Sequence, residues 1–129
     1  MKRTIGVGII VAFLLTLCVL EQVLVKNTLQ KINQNANSLY DTAIKLENVN
    51  TNEILKESEK ILAYWEKNED LLCFFVNHKD MHEMGNEIIK TISYCKNNIK
   101  EEFLTSLELV IYFTSTFDHI MGVSLQNIF

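Results

Sequence analysis

The sequence predicts an all-α protein in which an N-terminal transmembrane helix continues into an antiparallel four-helix bundle. The first observation behind this prediction is an uncharged apolar run over residues 4–20. The second is that the chain has no proline and only two glycines after that run, Gly85 and Gly122, which leaves few places for a sharp turn. The third is that apolar residues recur at helical spacing through most of the remaining chain.

The apolar run has the features of a membrane anchor. Lys2 and Arg3 precede it, and Glu21 closes it. Its seventeen residues span about 25 Å as a helix, slightly less than the ~30 Å hydrocarbon core of a bilayer. Because both cations precede the run, the positive-inside rule predicts a cytoplasmic N-terminus and an exterior location for the rest of the chain.

A cleaved signal peptide is the alternative interpretation of the same run. Cleavage needs small residues three and one positions before the cut, and residues 18–23 do not supply them. Lipoprotein processing before Cys18 needs a small residue where Leu17 stands. We therefore expect a single-pass protein of the cytoplasmic membrane. Residues 1–25 would form a cytoplasmic stub and signal-anchor that contacts the bilayer through residues 4–20, and residues 26–129 an extracytoplasmic bundle.

The part of the chain after the anchor is acidic. All sixteen acidic residues lie in residues 21–129, against ten lysines, so this part carries a formal charge of −6. Nucleic acids and anionic lipid headgroups both attract clustered cations, so we expect neither as a partner. The length of this part suits one modest domain.

The first bundle helix is predicted from a heptad-like seam. Its apolar residues alternate at steps of four and three, which is typical of a helix packed against other helices. The seam predicts that this helix continues directly from the membrane helix and ends near residues 48–52, where Asn and Thr concentrate. The members of the seam are Val25, Leu29, Ile32, Ala36, Leu39, Ala43 and Leu46.

Three further helices follow. The second is predicted from about Thr51 to Asn77, on a stripe that contains Trp65. The segment Asp80-Met-His-Glu83 has the pattern of a capping box, with Asp80 as the N-cap of the third helix. The stripe of the third helix is predicted to comprise Met81, Met84, Ile88, Ile92, Cys95 and Ile99.

The fourth helix is predicted after a break at Asn97 and Asn98, and its end near Gly122. Four amphipathic helices with short links pack most simply as an up-down-up-down bundle. A stack of two helical hairpins, as in tetratricopeptide-like repeats, is the alternative.

The candidate metal ligands are His78, His82 and Glu83. A histidine pair four residues apart on one helix can share a divalent metal, with a carboxylate as third ligand. A helix cap at Asp80 would place His78 outside the helix and spoil that geometry, and structural zinc sites use four ligands. We therefore expect no metal and no cofactor, and we interpret this segment as a polar turn.

Cys73 and Cys95 would face an oxidising compartment, so a disulfide has to be considered. A turn centred near Lys79 places Cys95 roughly 15 Å further along the hairpin than Cys73, beyond disulfide reach. A turn at residues 84–86 would bring the two cysteines level. The predicted cap at Asp80 favours the first turn, and hence two free, partly buried thiols.

The sequence contains no nucleophile elbow, no phosphate-binding glycine loop and no His-Glu-x-x-His helix. We interpret Trp65 as a core residue. The acidic residues at positions 57–70 are better explained as a solvated face than as paired catalytic carboxylates. We expect no enzyme activity.

The layout of the chain and its ending resemble an uncharacterised bacterial family. The layout combines a basic start, one apolar anchor and a helical domain with Trp65 ahead of Asn77-His78-Lys79-Asp80, and the ending reads Ser-Leu-Gln-Asn-Ile-Phe. These features are similar to a domain-of-unknown-function family of short, N-terminally anchored, all-helical proteins, commonest in spore-forming Gram-positive bacteria. The resemblance implies location and fold but no activity. The chain differs from the family pattern at residues 50–53, where it lacks a further Trp.

Two functions follow from these observations. The leading hypothesis is a non-catalytic, membrane-anchored extracytoplasmic interaction or scaffold protein that binds another membrane protein. The alternative is an extracytoplasmic ligand- or metal-sensing bundle that acts through a membrane partner. The candidate partner-docking residues are Leu125, Asn127, Ile128 and Phe129, although closing the base of the bundle is the favoured interpretation of the three apolar ones.

Overall fold

The computed structural model describes the backbone of residues 1–126 and the side chains of residues 1–117 and 119. Its elements are four helices, α1 (Lys2–Ala43), α2 (Asn52–Phe75), α3 (His78–Lys96) and α4 (Lys100–Gln126), and residues 1–126 contain no strand. α1 packs against α2 and α4, and α3 packs against the same two helices. Because α4 returns to α1 and closes the ring, the arrangement is the predicted all-α bundle and not a stack of hairpins.

The helix α1 is a single unbroken helix of 42 residues, about 63 Å long. Its N-terminal part is apolar and exposed, and by length and composition it is able to cross a membrane. Burial begins at Val25, and the predicted continuity between apolar run and bundle is confirmed. The buried seam of α1 comprises Val25, Leu29, Ile32, Ala36, Leu39 and Ala43, as predicted, while Leu46 is partly buried beyond the helix.

The end of α1 lies earlier than the Asn- and Thr-rich residues 48–52 predict. The last helical residue is Ala43, and Ile44 is the C-cap. The ammonium of Lys100 donates to the carbonyl oxygens of Ile44 at 3.0 Å and of Leu46 at 2.5 Å. The last carbonyls of a helix lack intrahelical partners, so a cation from α4 stabilises this early end. The prediction was wrong because the residue that satisfies these carbonyls lies more than fifty positions away.

The connection between α1 and α2 is held by the turn between α3 and α4. The Val49 side chain is buried, its N–H donates to Asn98 Oδ1 at 2.9 Å, and its carbonyl accepts from Cys95 Sγ at 3.1 Å. Asn98 Nδ2 also donates to Asn48 Oδ1 at 2.7 Å. Asn98 has a φ of 53°, in the left-handed region that asparagine adopts more readily than most residues. We call this set of contacts the distal clasp.

The predicted start of α2 near Thr51 is confirmed, whereas the predicted N-cap of α3 is wrong. Thr51 is the N-cap of α2, and its hydroxyl accepts from the N–H of Ile54 at 3.2 Å. The predicted cap at Asp80 is wrong: the N-cap of α3 is Asn77, whose Oδ1 accepts from the N–H of Lys79 at 2.9 Å. Asparagine caps a helix as well as aspartate does. Asp80 instead lies in the first turn of α3, where its charge interacts favourably with the helix dipole.

Of the six predicted stripe positions of α3, four are buried and two are not, and α4 extends beyond its predicted end. Thr91 is buried and its hydroxyl donates to the Ile88 carbonyl at 2.6 Å, whereas the predicted Ile92 is only partly buried. Ile99 is exposed because it lies in the turn between α3 and α4. The α4 backbone stays helical past Gly122, its predicted end, to Gln126. One internal glycine weakens a helix by about 1 kcal/mol but does not by itself end it.

Helices α2 and α3 pack closely around Trp65, which is 3% exposed and a core residue as predicted. The partner position on α3 is Gly85. A Cβ placed there would lie 2.8 Å from Trp65 Nε1 and 3.0 Å from Trp65 Cε2. Only a residue without a side chain therefore fits this approach.

Polar side chains join α4 to its two neighbours. The Asn33 amide on α1 donates to the hydroxyls of Thr114 at 2.8 Å and Ser115 at 3.0 Å. On the other side, the Ser106 hydroxyl donates to Glu87 Oε2 on α3 at 2.9 Å. These bonds add directional contacts to the apolar packing of α4 and so favour one register of this helix.

The distal clasp predicts a difference between two substitutions of Asn98. Asn98→Ala should lower the free energy of unfolding by about 2–3 kcal/mol, because it removes two hydrogen bonds and forces alanine into the left-handed region. Asn98→Gly should cost about 1 kcal/mol less, because glycine adopts this conformation freely. Chemical denaturation of the full chain in lipid nanodiscs, followed by Trp65 fluorescence, measures both. The control is Asn97→Ala, because the Asn97 side-chain amide donates within its own helix, to the Ser93 carbonyl. Equal losses at positions 97 and 98 would contradict the clasp.

The contact between Gly85 and Trp65 predicts that Gly85→Ala destabilises the bundle. Alanine favours the helix by about 1 kcal/mol, but overpacking against a rigid buried indole costs about 1–3 kcal/mol. Thermal unfolding of the full chain, followed by circular dichroism, should show a lower midpoint. The loss should shrink in a Trp65→Phe background, and Asn86→Ala at the neighbouring exposed position should have little effect. Stabilisation by Gly85→Ala would show that the two helices do not approach so closely.

Candidate functional site

The turn between α2 and α3 lies beside the part of α1 where burial begins. A recess of about 500 Å³ separates the two segments. It is lined by Cys18, Glu21, Gln22 and Val25 of α1, by Phe75 at the end of α2, by Val76 and Asn77 of the turn, and by Phe117 of α4. We call this end of the bundle the anchor end, because the exposed apolar part of α1 starts there.

Two exposed aromatic rings stand at the anchor end. The Phe74 side chain is 80% exposed and that of Phe75 is 40% exposed. Their ring centroids are 4.8 Å apart with an interplanar angle of 72°, an edge-to-face pair. Exposed rings at the level where an apolar helix leaves the bundle suit contact with the boundary between lipid headgroups and acyl chains.

His78 and His82 both lie on α3, contrary to the sequence-based expectation. Because Asn77 is the N-cap, His78 is the first helical residue and His82 stands one turn further on the same face. Their Nε2 atoms are 2.9 Å apart, and their rings are perpendicular with centroids 4.3 Å apart. The objection that a cap at Asp80 separates the two rings is therefore removed.

Cys73 completes a cluster with the two histidines. The Sγ atom of Cys73, in the last turn of α2, and one ring nitrogen from each of His78 and His82 all lie within 4.8 Å of one another. Sequence reasoning selected Glu83 as the third ligand, but its carboxylate lies 3.9 Å from the Lys79 ammonium and is not a member of this cluster. The sequence feature that indicates Cys73 as a ligand is its position four residues before the N-cap of α3.

Carboxylates shape the electrostatics of the cluster. Glu69 Oε1 lies 3.8 Å from His82 Nδ1, the ring nitrogen that points away from His78. Burial, followed by the negative charges of Glu69 and Asp70, raises the pKa of the Cys73 thiol. A raised pKa favours the protonated thiol over the thiolate in the structure without a bound ligand.

The two bundle cysteines are free, as predicted. Cys73 is at the anchor end, whereas Cys95 belongs to the distal clasp, where its Sγ bonds the Val49 carbonyl. Cys95 is fully buried, and burial raises the pKa of its thiol. The helical hairpin of α2 and α3 thus separates the two sulfurs along its length.

A second recess lies on the outer face of α3 and α4. It has a volume of about 510 Å³ and is lined mainly by Glu83, Asn86, Glu87, Ile89, Lys90, Leu109 and Phe113. Ile89, Leu109 and the neighbouring Tyr112 are exposed large apolar side chains. We call this region the α3–α4 face. The other docking candidates, the side chain of Leu125 and residues Asn127, Ile128 and Phe129, lie outside the described residues.

Comparison with known proteins gives one match. A family model described as a domain of unknown function (DUF4363) matches residues 19–128, more than four-fifths of the chain. The matched region begins in the apolar part of α1 and includes α2 and α3. No curated protein and no solved structure matches the chain.

The two thiol environments predict unequal reactivity. In a Cys18→Ser background, Cys73 should react with a maleimide at least about tenfold faster than Cys95, because Cys95 is inaccessible until the bundle opens. Mass spectrometry of the folded full chain, sampled over time, separates the two sites. Denatured protein, in which both should react at similar rates, is the control. Equal rates in the folded protein, or a Cys73–Cys95 disulfide, would contradict the described burial.

Proposed function

We propose, since the chain belongs to the DUF4363 family of domains of unknown function, that it is a single-pass membrane protein whose bundle binds another membrane protein. We place the bundle outside the cytoplasmic membrane and assign it a non-catalytic, scaffold-type role. The family match confirms the expected class of uncharacterised family. The membrane anchor, the Gram-positive distribution and the meaning of the C-terminal sequence stay predictions.

The observation that carries the proposal is the continuity of α1. One helix is apolar and exposed over its N-terminal half, and then supplies a full stripe of the bundle core from Val25 to Ala43. A core helix of a soluble protein would bury its apolar part, but none of the most apolar window of α1 is buried. The bundle would then stand at a fixed height above the bilayer, which suits a protein that positions a partner.

The proposed orientation rests on charge. Lys2 and Arg3 stand at the start of α1. Cations flank membrane helices preferentially on the cytoplasmic side, so the N-terminus is assigned there and the acidic bundle outside. In this orientation Phe74 and Phe75 would meet the outer headgroup region, because the anchor end lies where α1 leaves the apolar span.

The α3–α4 face is the proposed partner surface. Ile89 is 54% exposed and Tyr112 is 64% exposed, and both Ile89 and the exposed Leu109 line the recess. Charged groups of Glu87 and Lys90 border the apolar residues, and they are paired with each other at 2.7 Å. An apolar centre with a polar rim is the usual composition of a protein–protein contact.

One experiment tests orientation and partner together. Tyr112→Cys or Lys56→Cys is introduced in a Cys73→Ser background, and a membrane-impermeant maleimide crosslinker is added to intact cells. Both positions are exposed and should be labelled if the bundle faces outward. Only Tyr112→Cys, on the α3–α4 face, should give a discrete protein adduct, since Lys56 lies on α2.

The two parts of the proposal fail separately. Labelling of either position only after cell lysis would overturn the exterior location. Labelling of both positions in intact cells, with only lipid adducts or with identical adducts, would overturn the partner surface. Wild-type chain treated in parallel measures the background from the native cysteines.

Metal sensing through a membrane partner is the second candidate function. The specific observation in its favour is the cluster of Cys73, His78 and His82 at the anchor end. A ligand bound there would join two helices close to the exposed Phe74 and Phe75 rings, and so link occupancy to the part of the bundle nearest the bilayer.

A further inference from the structure

We propose that Cys73, His78 and His82 form a binding site for zinc or a closely similar divalent transition metal, with one thiolate and two imidazole ligands. The site joins the last turn of α2 to the first two turns of α3. It is separate from the α3–α4 face, and it requires neither the anchor nor a partner.

The sulfur and nitrogen donors of the cluster favour zinc over magnesium or calcium. A thiolate and two imidazoles are the ligands that zinc prefers, whereas magnesium and calcium prefer oxygen ligands in larger number. The spacing is Cys-x4-His-x3-His, with the cysteine on one helix and the histidines on the next. Only two residues, Val76 and Asn77, separate the helices, so the turn itself brings the ligands together.

The distance between the two histidine nitrogens suits a tetrahedral metal. Two nitrogens bound at about 2.0–2.1 Å to one zinc ion stand about 3.3 Å apart. The Nε2 atoms of His78 and His82 are 2.9 Å apart, so the rings need to separate by only a few tenths of an ångström. The hydrogen bond between the rings would be replaced by two metal–nitrogen bonds, and the Cys73 thiol would lose its proton to solvent.

Glu69 occupies the position of an outer-shell partner. A metal-bound histidine commonly donates its other ring N–H to a carboxylate, which orients the ring and increases its basicity. His82 faces His78 through Nε2, and Glu69 Oε1 lies 3.8 Å from the opposite nitrogen, Nδ1. A small side-chain movement converts this contact into that hydrogen bond.

The environment leaves one coordination position open. His78 and His82 are exposed and Cys73 is partly buried, so the cluster has one protein side and one solvent side. Three protein ligands with water in the fourth position is an established zinc arrangement. Bound metal would crosslink α2 to α3 and restrain the end of α2, which carries Phe74 and Phe75.

Cobalt titration of the full chain in detergent micelles tests the site directly. Co²⁺ bound to a thiolate gives a charge-transfer absorption that histidine or carboxylate sites do not give. We expect this band to saturate at one equivalent and to disappear when Zn²⁺ is added. Cys73→Ser should abolish the band, and His78→Ala or His82→Ala should weaken cobalt affinity at least about tenfold.

Matched controls separate this site from non-specific binding. Cys18→Ser removes a thiol from the apolar part of α1, and His119→Ala removes an exposed histidine of α4; both should leave the titration unchanged. Glu69→Gln should weaken affinity about tenfold while keeping the thiolate band. Because His78 is an exposed first residue of α3, its replacement does not threaten the fold, and circular dichroism verifies this for each variant.

Three results would overturn the proposal. They are the absence of a thiolate band in the wild-type chain, a band that survives Cys73→Ser, and an equal loss of affinity in His119→Ala and His82→Ala. None of these readouts depends on membrane orientation or on a partner, so the proposed scaffold role and the metal site fail independently. The metal-sensing candidate rests on this site and would fail with it.

Discussion

The burial of one side of α1 is the constraint on which the rest of the structure depends. From Val25 to Ala43 this side is covered by α2 and α4, and α3 then packs against those two helices. The same helix extends without a break through residues 2–24. The side of α1 that is buried from Val25 onward therefore also sets the rotational position of the bundle around the axis of the exposed apolar segment. A sharp kink would need a local disruption of the backbone hydrogen bonds, and α1 contains no proline to cause one.

Hydrogen bonds of polar groups fix the ends of the helices, while apolar burial holds the helices together. At the distal clasp, Val49 is anchored through both its backbone groups, by Asn98 and Cys95, and Lys100 satisfies carbonyls at the end of α1. At the other end, Asn77 caps α3 after a connection of only two residues. Each contact is worth about 1 kcal/mol, small beside the core, but each fixes where a helix begins or ends.

The candidate metal cluster depends on the residue at which α3 begins. The spacing of His78 and His82 was evident from the sequence, but a cap at Asp80 would have separated them. Asn77 and Asp80 are both good N-caps, and local propensity does not choose between them. The choice of Asn77 puts both rings on one face of α3. It also brings Cys73 of α2 within 4.8 Å, a proximity that no spacing within one helix indicates.

The sequence by itself determined the four helices, the exposed apolar start of α1 and the buried seam from Val25 to Ala43, because composition and periodicity are local properties of the chain. Tertiary structure decided the closure of α4 onto α1, the early end of α1 at Ala43, the burial of Thr91 in place of Ile92, and the meeting of Cys73 with the two histidines. Each of these depends on a side chain from another helix or on the close approach of two helices, and such partners are set by the packed bundle and not by neighbours in sequence.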